Sequence, residues 1–133
     1  MANGIFSEKG LPIIKIKVRG TSGDVQEFEA IVDTGDNGYL LLPLSSAFSL
    51  GLILVGIDPN NVGANDKKFP TLIATGEICL EGKTWTRVSI NLLENGTKVL
   101  IGNSLLKVLK KKLIVDFVNS KIEITDGLVE DIV

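Results

Sequence analysis

Hydrophobic and polar residues alternate in two neighbouring segments near the start of the chain, a pattern typical of half-buried β-strands. The first segment is IKIKVR at 14–19, the second is EFEAIVD at 27–33, and the turn-forming sequence GTSGD lies between them. A hairpin closed around Ser22 would bring opposite charges together across the strands, which favours this register. The cross-strand pairs would be Lys15 with Glu29, Ile16 with Phe28, and Lys17 with Glu27. The hairpin would place Asp33 at the end of its second strand.

Short apolar runs separated by turn residues predict further strands along the rest of the chain. They are YLLLP, LILVGI, FPTLIATGEICL, KTWTRVSINLL, VLIG and the final hairpin LIVDFVNSKIEIT. A tight turn at Glu81–Gly82 would join the third and fourth of these, and the polar segment Asp58–Lys68 predicts a long loop. Two short helices are expected. LSSAFSLG would be capped by Ser45 and end at Gly51, and NSLLKVLKKK would have Asn103 as its N-cap and lysines in its last turn.

These elements predict an all-β fold, either a barrel or a sandwich, with one or two short helices. A length of 133 residues predicts a single domain over 1–133. The net charge of −2 gives no electrostatic reason to expect binding to nucleic acid or to an anionic membrane. The apolar runs are too short to span a bilayer, and the segment MANGIFSEKG is not typical of a signal peptide. We therefore expect a cytoplasmic protein.

The chain contains no histidine, which excludes Ser-His and Cys-His catalytic pairs. It also lacks the commonest zinc ligand, and the single cysteine, Cys79, cannot replace it, so no metal or other cofactor is expected. Cys79 lies in the strand-like sequence EICLEG and is expected to be a buried structural thiol. Carboxylates remain the main source of acid–base chemistry near neutral pH.

The stretch AIVDTGDNGYLLLP places Asp33 between two apolar runs. A carboxylate in such surroundings is unfavourable unless it has a use. If Asp33 is catalytic, Thr34 offers a hydroxyl for hydrogen bonds to nearby backbone, and Gly35 lets the chain fold sharply so that its N–H approaches the carboxylate. The alternative is a structural role for Asp33, as an Asx-type turn residue that only fixes the end of the strand.

A second feature lies 69 positions further on, where the apolar strand of VLIGNSLLK is followed by Gly102 and a helix start. A glycine at this point would let the strand pack closely against another backbone.

The sequences AIVDTG, YLLLP, VLIGNSLL and LIVDFVNSKIEI together resemble the retropepsin-like aspartic proteases, most closely their small single-domain bacterial and archaeal members. The resemblance covers roughly Ile13–Thr125. It implies a closed acid-protease barrel with one Asp-Thr-Gly lobe per chain, and two chains that pair to bring two aspartates face to face. Asp33 would then be catalytic, Thr34 would lock the two loops together across the dimer axis, and Gly35 would belong to the substrate-facing loop. The implied flap, which would bind substrate, is Asn60, Asn61, Val62, Gly63, Ala64, Asn65 and Asp66.

The residue after Asp-Thr-Gly and the flap both depart from the family pattern. Asp36 follows Asp-Thr-Gly, where the family often has Ala, Ser or Thr. A second carboxylate so near Asp33 would raise the pKa of one or the other group. Alternatively, Asp36 and Asn37 form a turn and point outward, which is the interpretation we favour. The flap sequence NNVGAND is polar and has no aromatic residue.

The leading hypothesis is an aspartic endopeptidase that works as a homodimer on a polypeptide substrate. Its interface is expected to include the Thr34 region and the apolar chain ends Gly4–Phe6 and Glu130–Val133. The alternative is a non-catalytic dimeric module that binds peptides in the same cleft. A metal-dependent enzyme is disfavoured because the sequence has no cluster of metal ligands.

Overall fold

A computed structural model describes residues 2–62 and 68–126, and within these ranges the chain forms ten strands and two short helices. The strands are β1 Ala2–Phe6, β2 Pro12–Arg19, β3 Val25–Val32, β4 Leu40–Pro43, β5 Ile53–Val62, β6 Lys68–Cys79, β7 Thr86–Leu93, β8 Leu100–Ile101, β9 Lys111–Asp116 and β10 Lys121–Asp126. The helices are α1 Ser45–Leu50 and α2 Asn103–Val108. The architecture is all-β with two short helices, as the hydrophobic pattern predicted.

The ten strands belong to one sheet in the order β5-β6-β7-β4-β8-β3-β2-β1-β10-β9, and β6 also pairs with β2. The β3–β8 and β4–β7 pairs are parallel, whereas the other pairs of the described strands are antiparallel. The strand that enters the Asp33 loop and the strand that leaves it are therefore separated by β8. Parallel strands cannot be joined by a tight turn. Here β3 and its parallel neighbour β8 are connected by the Asp33 loop and by the elements from β4 to β7.

The β2–β3 hairpin has the register that the charge pattern predicted. Lys15 is opposite Glu29, Ile16 is opposite Phe28, and Lys17 is opposite Glu27. The final hairpin is also present as predicted, formed by β9 and β10. In both cases alternating side chains leave one register in which the apolar residues of the two strands share a face.

The two predicted N-caps, Ser45 and Asn103, are both wrong. The N-cap of α1 is Leu44, and no side chain caps this helix, although Gly51 does end it in the left-handed conformation with φ 63°. The N-cap of α2 is Gly102, because Asn103 already lies inside the helix. This helix ends at Val108, so most of the predicted lysine-rich last turn belongs to β9 instead.

A long polar loop was predicted over Asp58–Lys68, but the described residues of this segment, 58–62 and Lys68, lie in strands. Strand β5 continues to Val62 and β6 begins at Lys68, and these two residues pair. The ladder tolerates the polar sequence by shifting its register between Asp58 and Asn61. The predicted flap residues Gly63, Ala64, Asn65 and Asp66 lie outside the described residues. The turn predicted at Glu81–Gly82 is a longer connection, since β6 ends at Cys79 and β7 begins at Thr86.

Apolar side chains from most strands and both helices form one core. Its largest fully buried members are Ile14, Ile16, Leu40, Leu42, Leu50, Ile78, Ile90, Leu92, Ile101, Leu105, Ile122 and Ile124. Cys79 is buried, as predicted for a structural thiol, and its Sγ lies 3.2 Å from the carbonyl oxygen of Glu81. In the part of the chain that the structure describes, neither helix is long enough to cross a membrane.

Candidate active site

The Asp33 loop, residues 33–39, connects β3 to β4 across the end of β8. Val32 at the end of β3 pairs with Ile101 of β8, and Ile101 pairs on its other side with Leu40 at the start of β4. The backbone N–H of Asp33 donates a hydrogen bond of 2.9 Å to the carbonyl oxygen of Ile101. The loop is therefore anchored at both ends on a buried strand.

Asp33 is half-buried, and its carboxylate is held by the loop itself. Oδ1 accepts a hydrogen bond of 3.0 Å from the backbone N–H of Gly35, and the carbonyl oxygen of Asp33 accepts one of 3.1 Å from Asp36. No hydrogen bond to Oδ2 is made by the described residues. This geometry is an Asx turn that leaves one carboxylate oxygen available. The catalytic and structural interpretations of Asp33 both require such a turn, so the turn does not choose between them.

Asp36 lies in the same loop and is also half-buried. Its Oδ1 accepts a hydrogen bond of 2.9 Å from the backbone N–H of Gly38, and its carbonyl oxygen accepts one of 2.8 Å from the backbone N–H of Asn103. These contacts favour the turn interpretation, because the carboxylate stabilises the second half of the loop.

Gly102 fits closely beneath the loop. A Cβ atom at this position would lie 2.3 Å from the carbonyl oxygen of Gly38 and 2.9 Å from that of Asp36. The glycine therefore allows the close backbone approach that the sequence led us to expect. Its N–H donates a hydrogen bond of 3.0 Å to the carbonyl oxygen of Tyr39. The backbone N–H of Ser104 donates a hydrogen bond of 3.1 Å to the carbonyl oxygen of Gly38.

Two side chains that sequence reasoning missed also hold this loop. Asn103 Nδ2 donates to the carbonyl oxygen of Thr34, and Ser104 Oγ donates to that of Asn37. Their partners lie 69 and 67 positions earlier in the chain. In the sequence, Asn103 and Ser104 directly follow Gly102. Asn and Ser at a helix start are usually interpreted as N-cap residues, so the pair did not point to a distant loop.

The structure thus brings Asp33, Thr34, Gly35 and Asp36 together with Gly102. The described part of the predicted flap, residues 60–62, lies in β5 at the edge of the sheet, with β7, β4 and β8 between β6 and β3 in the strand order. Its role stays a prediction. Within the described ranges, no group of three or more Cys, Asp or Glu side chains could hold a metal ion.

A solved structure of a retropepsin-like aspartic protease from Rickettsia conorii is similar to this chain. The two match with a TM-score of 0.60 and 19% sequence identity over 90% of this chain and 86% of that chain. The chain has a retropepsin-like fold. The resemblance predicted from AIVDTG and VLIGNSLL is thereby confirmed at the level of the fold. The chain matches no known family model. No curated protein matches its sequence.

Within a retropepsin-like fold, the Asp33 loop is a rigid support for one carboxyl group. Backbone and side-chain donors of residues 102–104, the carbonyl oxygen of Ile101 and the loop's own Asx turns hold its position. A half-buried carboxyl group can take or give a proton. The loop holds two of them, Asp33 and Asp36, and each has one oxygen in an Asx turn.

Proposed function

We propose that this chain is an aspartic endopeptidase that acts as a homodimer, with Asp33 of each copy in one shared site. Two carboxyl groups at close range cannot both ionise, so the pair holds one proton between them. The ionised carboxylate takes a proton from a bound water, and the protonated one polarises the carbonyl group of the scissile peptide bond. No covalent intermediate forms.

The observation that carries this proposal is the Asp33 loop on a retropepsin-like fold. The carboxylate keeps one oxygen without a partner among the described residues, while the backbone around it is fixed from two sides. Preorganisation of this kind favours catalysis. A reacting group that is already held within a fraction of an ångström loses little entropy on going to the transition state. A residue that only ended a strand would not need the support of Asn103 and Ser104.

The pairing of β2 with β6 supports a closed barrel for this fold. Each of the strands β2, β3, β8, β4, β7 and β6 pairs with the next, and β6 pairs again with β2 through Lys17 and Cys79. Closure removes exposed sheet edges around the core. In the proposed enzyme, the barrel gives the Asp33 loop a rigid base.

The strand register supports a dimer interface at the end of the sheet where Asp33 lies. Phe6 at the end of β1 pairs with Pro12 at the start of β2, and the next residue, Ile13, pairs with Ile31 of β3. The chain therefore reaches this end of the sheet at Phe6 and again at Asp33. A partner that covers this end would bring its own Asp33 close to the first.

An exposed apolar patch occupies the same end. We call Phe6, Phe117 and Val118 the Phe117 patch. Phe117 is 78% exposed and Val118 91%, and the rings of Phe6 and Phe117 lie 5.6 Å apart. Ile5, which is 63% exposed, lies on the opposite face of β1 from Phe6. Contiguous exposed apolar residues mark interaction surfaces, and a two-fold dimer would bury this patch against its own copy.

The interface is tested by the variant Phe117→Ser, with Phe48→Ser as the matched control. Phe48 is 82% exposed on α1, so both variants remove an exposed phenylalanine. We expect Phe117→Ser to raise the dimer dissociation constant at least about tenfold, because a buried aromatic anchor is lost, and Phe48→Ser to leave it unchanged. Sedimentation equilibrium gives both constants. A wild-type chain that stays monomeric at millimolar concentration would rule out the shared site.

The β5–β6 hairpin is proposed as the flap, and its amides report on it. We expect the amides of Asp58 and residues 60–62 to exchange quickly in the free protein, since the register shift between Asp58 and Asn61 weakens the ladder. With a bound peptide analogue they should exchange more slowly, because the flap closes over the ligand. The buried strand segment Ile14–Val18 is the control and should not change. Equal protection of Asp58 and residues 60–62 in both states would argue against a flap.

The function is tested by active-site titration with pepstatin, a mimic of the aspartic-protease transition state. We expect saturation at one inhibitor per two chains, together with cleavage of a peptide library that pepstatin abolishes. Binding without any cleavage would favour the alternative, a dimeric peptide-binding module. Saturation at one inhibitor per chain, or no binding, would contradict a site shared between two copies of Asp33.

A further inference from the structure

The sheet has two edge strands among the described residues, β5 and β9, and they differ in charge. Strand β9 begins with Lys111 and Lys112, and lysines on an edge strand commonly prevent a further strand from pairing with it. In β5, residues 53–57 have the sequence ILVGI, and the chain has no charged residue between Asp36 and Asp58. We call residues 53–57 the β5 edge. It lacks the protection that β9 has.

The backbone of the β5 edge has hydrogen-bonding capacity to spare. In the described part of the chain β5 pairs only with β6, for example through Ile53 with Thr75 and Ile57 with Leu72. A strand with a partner on one side presents a row of unpaired N–H and C=O groups on the other side. Pro59 has no N–H and limits this row on the side of the predicted flap. The row that remains suits the backbone of one short extended segment.

The apolar face of the core also continues onto the β5 edge, where it is uncovered. Leu54 is opposite Ala74, which is opposite Ile90 of β7, so the three side chains share one face of the sheet. Ala74 and Ile90 are fully buried, but Leu54 is 52% exposed. Ile57 lies on the same face, because its partner Leu72 is two positions from Ala74, and it is 64% exposed. A further strand beside β5 would cover both Leu54 and Ile57.

The β5 edge is separate from the contacts proposed above. In the strand order β6, β7, β4 and β8 lie between β5 and β3, the strand that enters the Asp33 loop. The Phe117 patch involves β1 and the turn between β9 and β10. The chain end Glu130–Val133, expected in the dimer interface, lies outside the described residues. Neither the Asp33 loop nor the Phe117 patch uses the β5 edge.

The size of the open surface favours a single extended segment over a second copy of the chain. A standard interface buries about 800 Å² on each partner. Four apolar side chains are available here, each between one half and two thirds exposed: Ile53, Leu54, Val55 and Ile57. Since even an aromatic side chain buries at most about 250 Å², four partly exposed aliphatic ones do not reach that area. The absence of charge indicates a partner segment that is itself uncharged and apolar.

We propose that the β5 edge binds an extended, uncharged, apolar segment of the polypeptide substrate, outside the site formed by the Asp33 loop. This inference rests on the proposed protease function, which makes a polypeptide the partner. The backbone of the segment pairs with the β5 edge, and its alternate side chains cover Leu54 and Ile57. The substrate class is therefore unfolded polypeptide, because in a folded protein such segments are already paired and buried.

NMR titration with an uncharged heptapeptide, in which valine alternates with serine and threonine and both ends are blocked, tests the binding. The protein is the Asp33→Asn variant, so that the peptide is not cut. We expect saturable shifts of the amides of 53–57, no shifts in the Asp33 loop, and nuclear Overhauser effects between the peptide valines and the side chains of Leu54 and Ile57. Shifts confined to the Asp33 loop, or no saturation, would overturn the proposal.

Methylation of the peptide nitrogens tests the backbone pairing. An extended strand pairs through one edge, and its N–H groups point alternately to its two edges. Methyl groups on one set of alternate nitrogens should therefore abolish binding, whereas methyl groups on the other set should leave it unchanged. Equal binding of the two methylated peptides would contradict strand pairing. Shifts of 53–57 that depend on protein concentration without any peptide would place a second copy on this edge and overturn the proposal.

The double variant Leu54→Thr/Ile57→Thr tests the apolar contacts. We expect it to raise the dissociation constant of the heptapeptide at least about tenfold, because the apolar surface that the peptide covers is lost. The matched control is Val25→Thr/Ile114→Thr, which changes two apolar side chains of β3 and β9 that are 50% and 39% exposed, and it should have no effect. An equal effect of the two double variants would contradict the proposal.

Cleavage kinetics separate this proposal from the protease proposal. With Asp33 intact, Leu54→Thr/Ile57→Thr should raise the KM for an unfolded protein at least about tenfold more than the KM for a short peptide that fills only the cleft. Equal changes in both KM values would place Leu54 and Ile57 in the cleft itself and overturn the proposal. If the wild type cuts neither substrate, the protease proposal fails, and the NMR titration decides by itself whether the β5 edge binds extended segments.

Discussion

The variant Asp33→Asn is expected to abolish peptide cleavage and to leave the fold intact. An asparagine keeps the Oδ1 atom that accepts the hydrogen bond from Gly35, so the turn can form as before. It cannot share a proton with its copy or take one from water, so both halves of the proposed mechanism fail. We expect the rate of cleavage to fall by a factor of about 1,000 or more, measured on a peptide library with pure dimer.

The free energy of unfolding and the dimer dissociation constant should change little in this variant. We expect the dimer dissociation constant to fall slightly, since two acidic groups no longer approach each other. Urea denaturation and sedimentation equilibrium measure these two quantities.

Asp36→Asn is the matched control for this experiment. Asp36 lies in the same loop, and its Oδ1 accepts the Gly38 N–H in the same way as Asp33 accepts that of Gly35. Asparagine preserves this turn as well, so we expect the control to keep most of its activity. If Asp33→Asn unfolds the protein, or cleaves peptides as the wild type does, then Asp33 is a structural turn residue and the protease proposal fails.

Local pattern was sufficient to predict the parts of the fold in which neighbouring residues decide the outcome. The β2–β3 register follows from charges and apolar residues that alternate within one hairpin, as the Lys17–Glu27 pair illustrates. The Asp33 turn likewise depends on Gly35, two positions away. Such contacts are close in sequence, so their chemistry can be recognised before the fold is known.

The parts that were predicted wrongly depend on residues far apart in the chain. Asn103 would be an ordinary N-cap in an isolated helix, but here its side chain binds Thr34 in the Asp33 loop. The segment around Asp58 is polar and was predicted as a loop, yet pairing with Thr71 in β6 keeps it in a strand. In both places tertiary contacts override local propensity.

The variant Gly102→Ala is expected to damage stability and activity together. The glycine has φ −96°, a conformation that alanine adopts without strain, so the effect comes from space alone. The added Cβ would lie 2.3 Å from the carbonyl oxygen of Gly38 and 2.8 Å from its carbonyl carbon. Both atoms belong to the backbone and cannot turn aside as a side chain would. The Asp33 loop must move away from α2.

This displacement has two measurable consequences. Overpacking of this kind lowers the free energy of unfolding by about 3 kcal/mol. A shift of the loop by about 1 Å reduces the cleavage rate roughly 100-fold, because the two carboxyl groups lose their alignment. Urea denaturation gives the first quantity, and the rate per folded dimer gives the second.

Two other glycines separate the loss of stability from the loss of activity. A Cβ at Gly20 would lie 1.7 Å from the carbonyl oxygen of Leu50, at a contact between the β2–β3 turn and α1, so Gly20→Ala should destabilise the fold but leave the folded dimer active. A Cβ at Gly56 would meet no atom within 4 Å, so Gly56→Ala should leave stability within about 0.5 kcal/mol of wild type. If Gly102→Ala loses stability but keeps full activity per folded dimer, then the contact between Gly102 and the Asp33 loop supports the fold without positioning the carboxylate. A loss of activity in Gly102→Ala that Gly20→Ala does not share would tie the position of the Asp33 loop directly to catalysis.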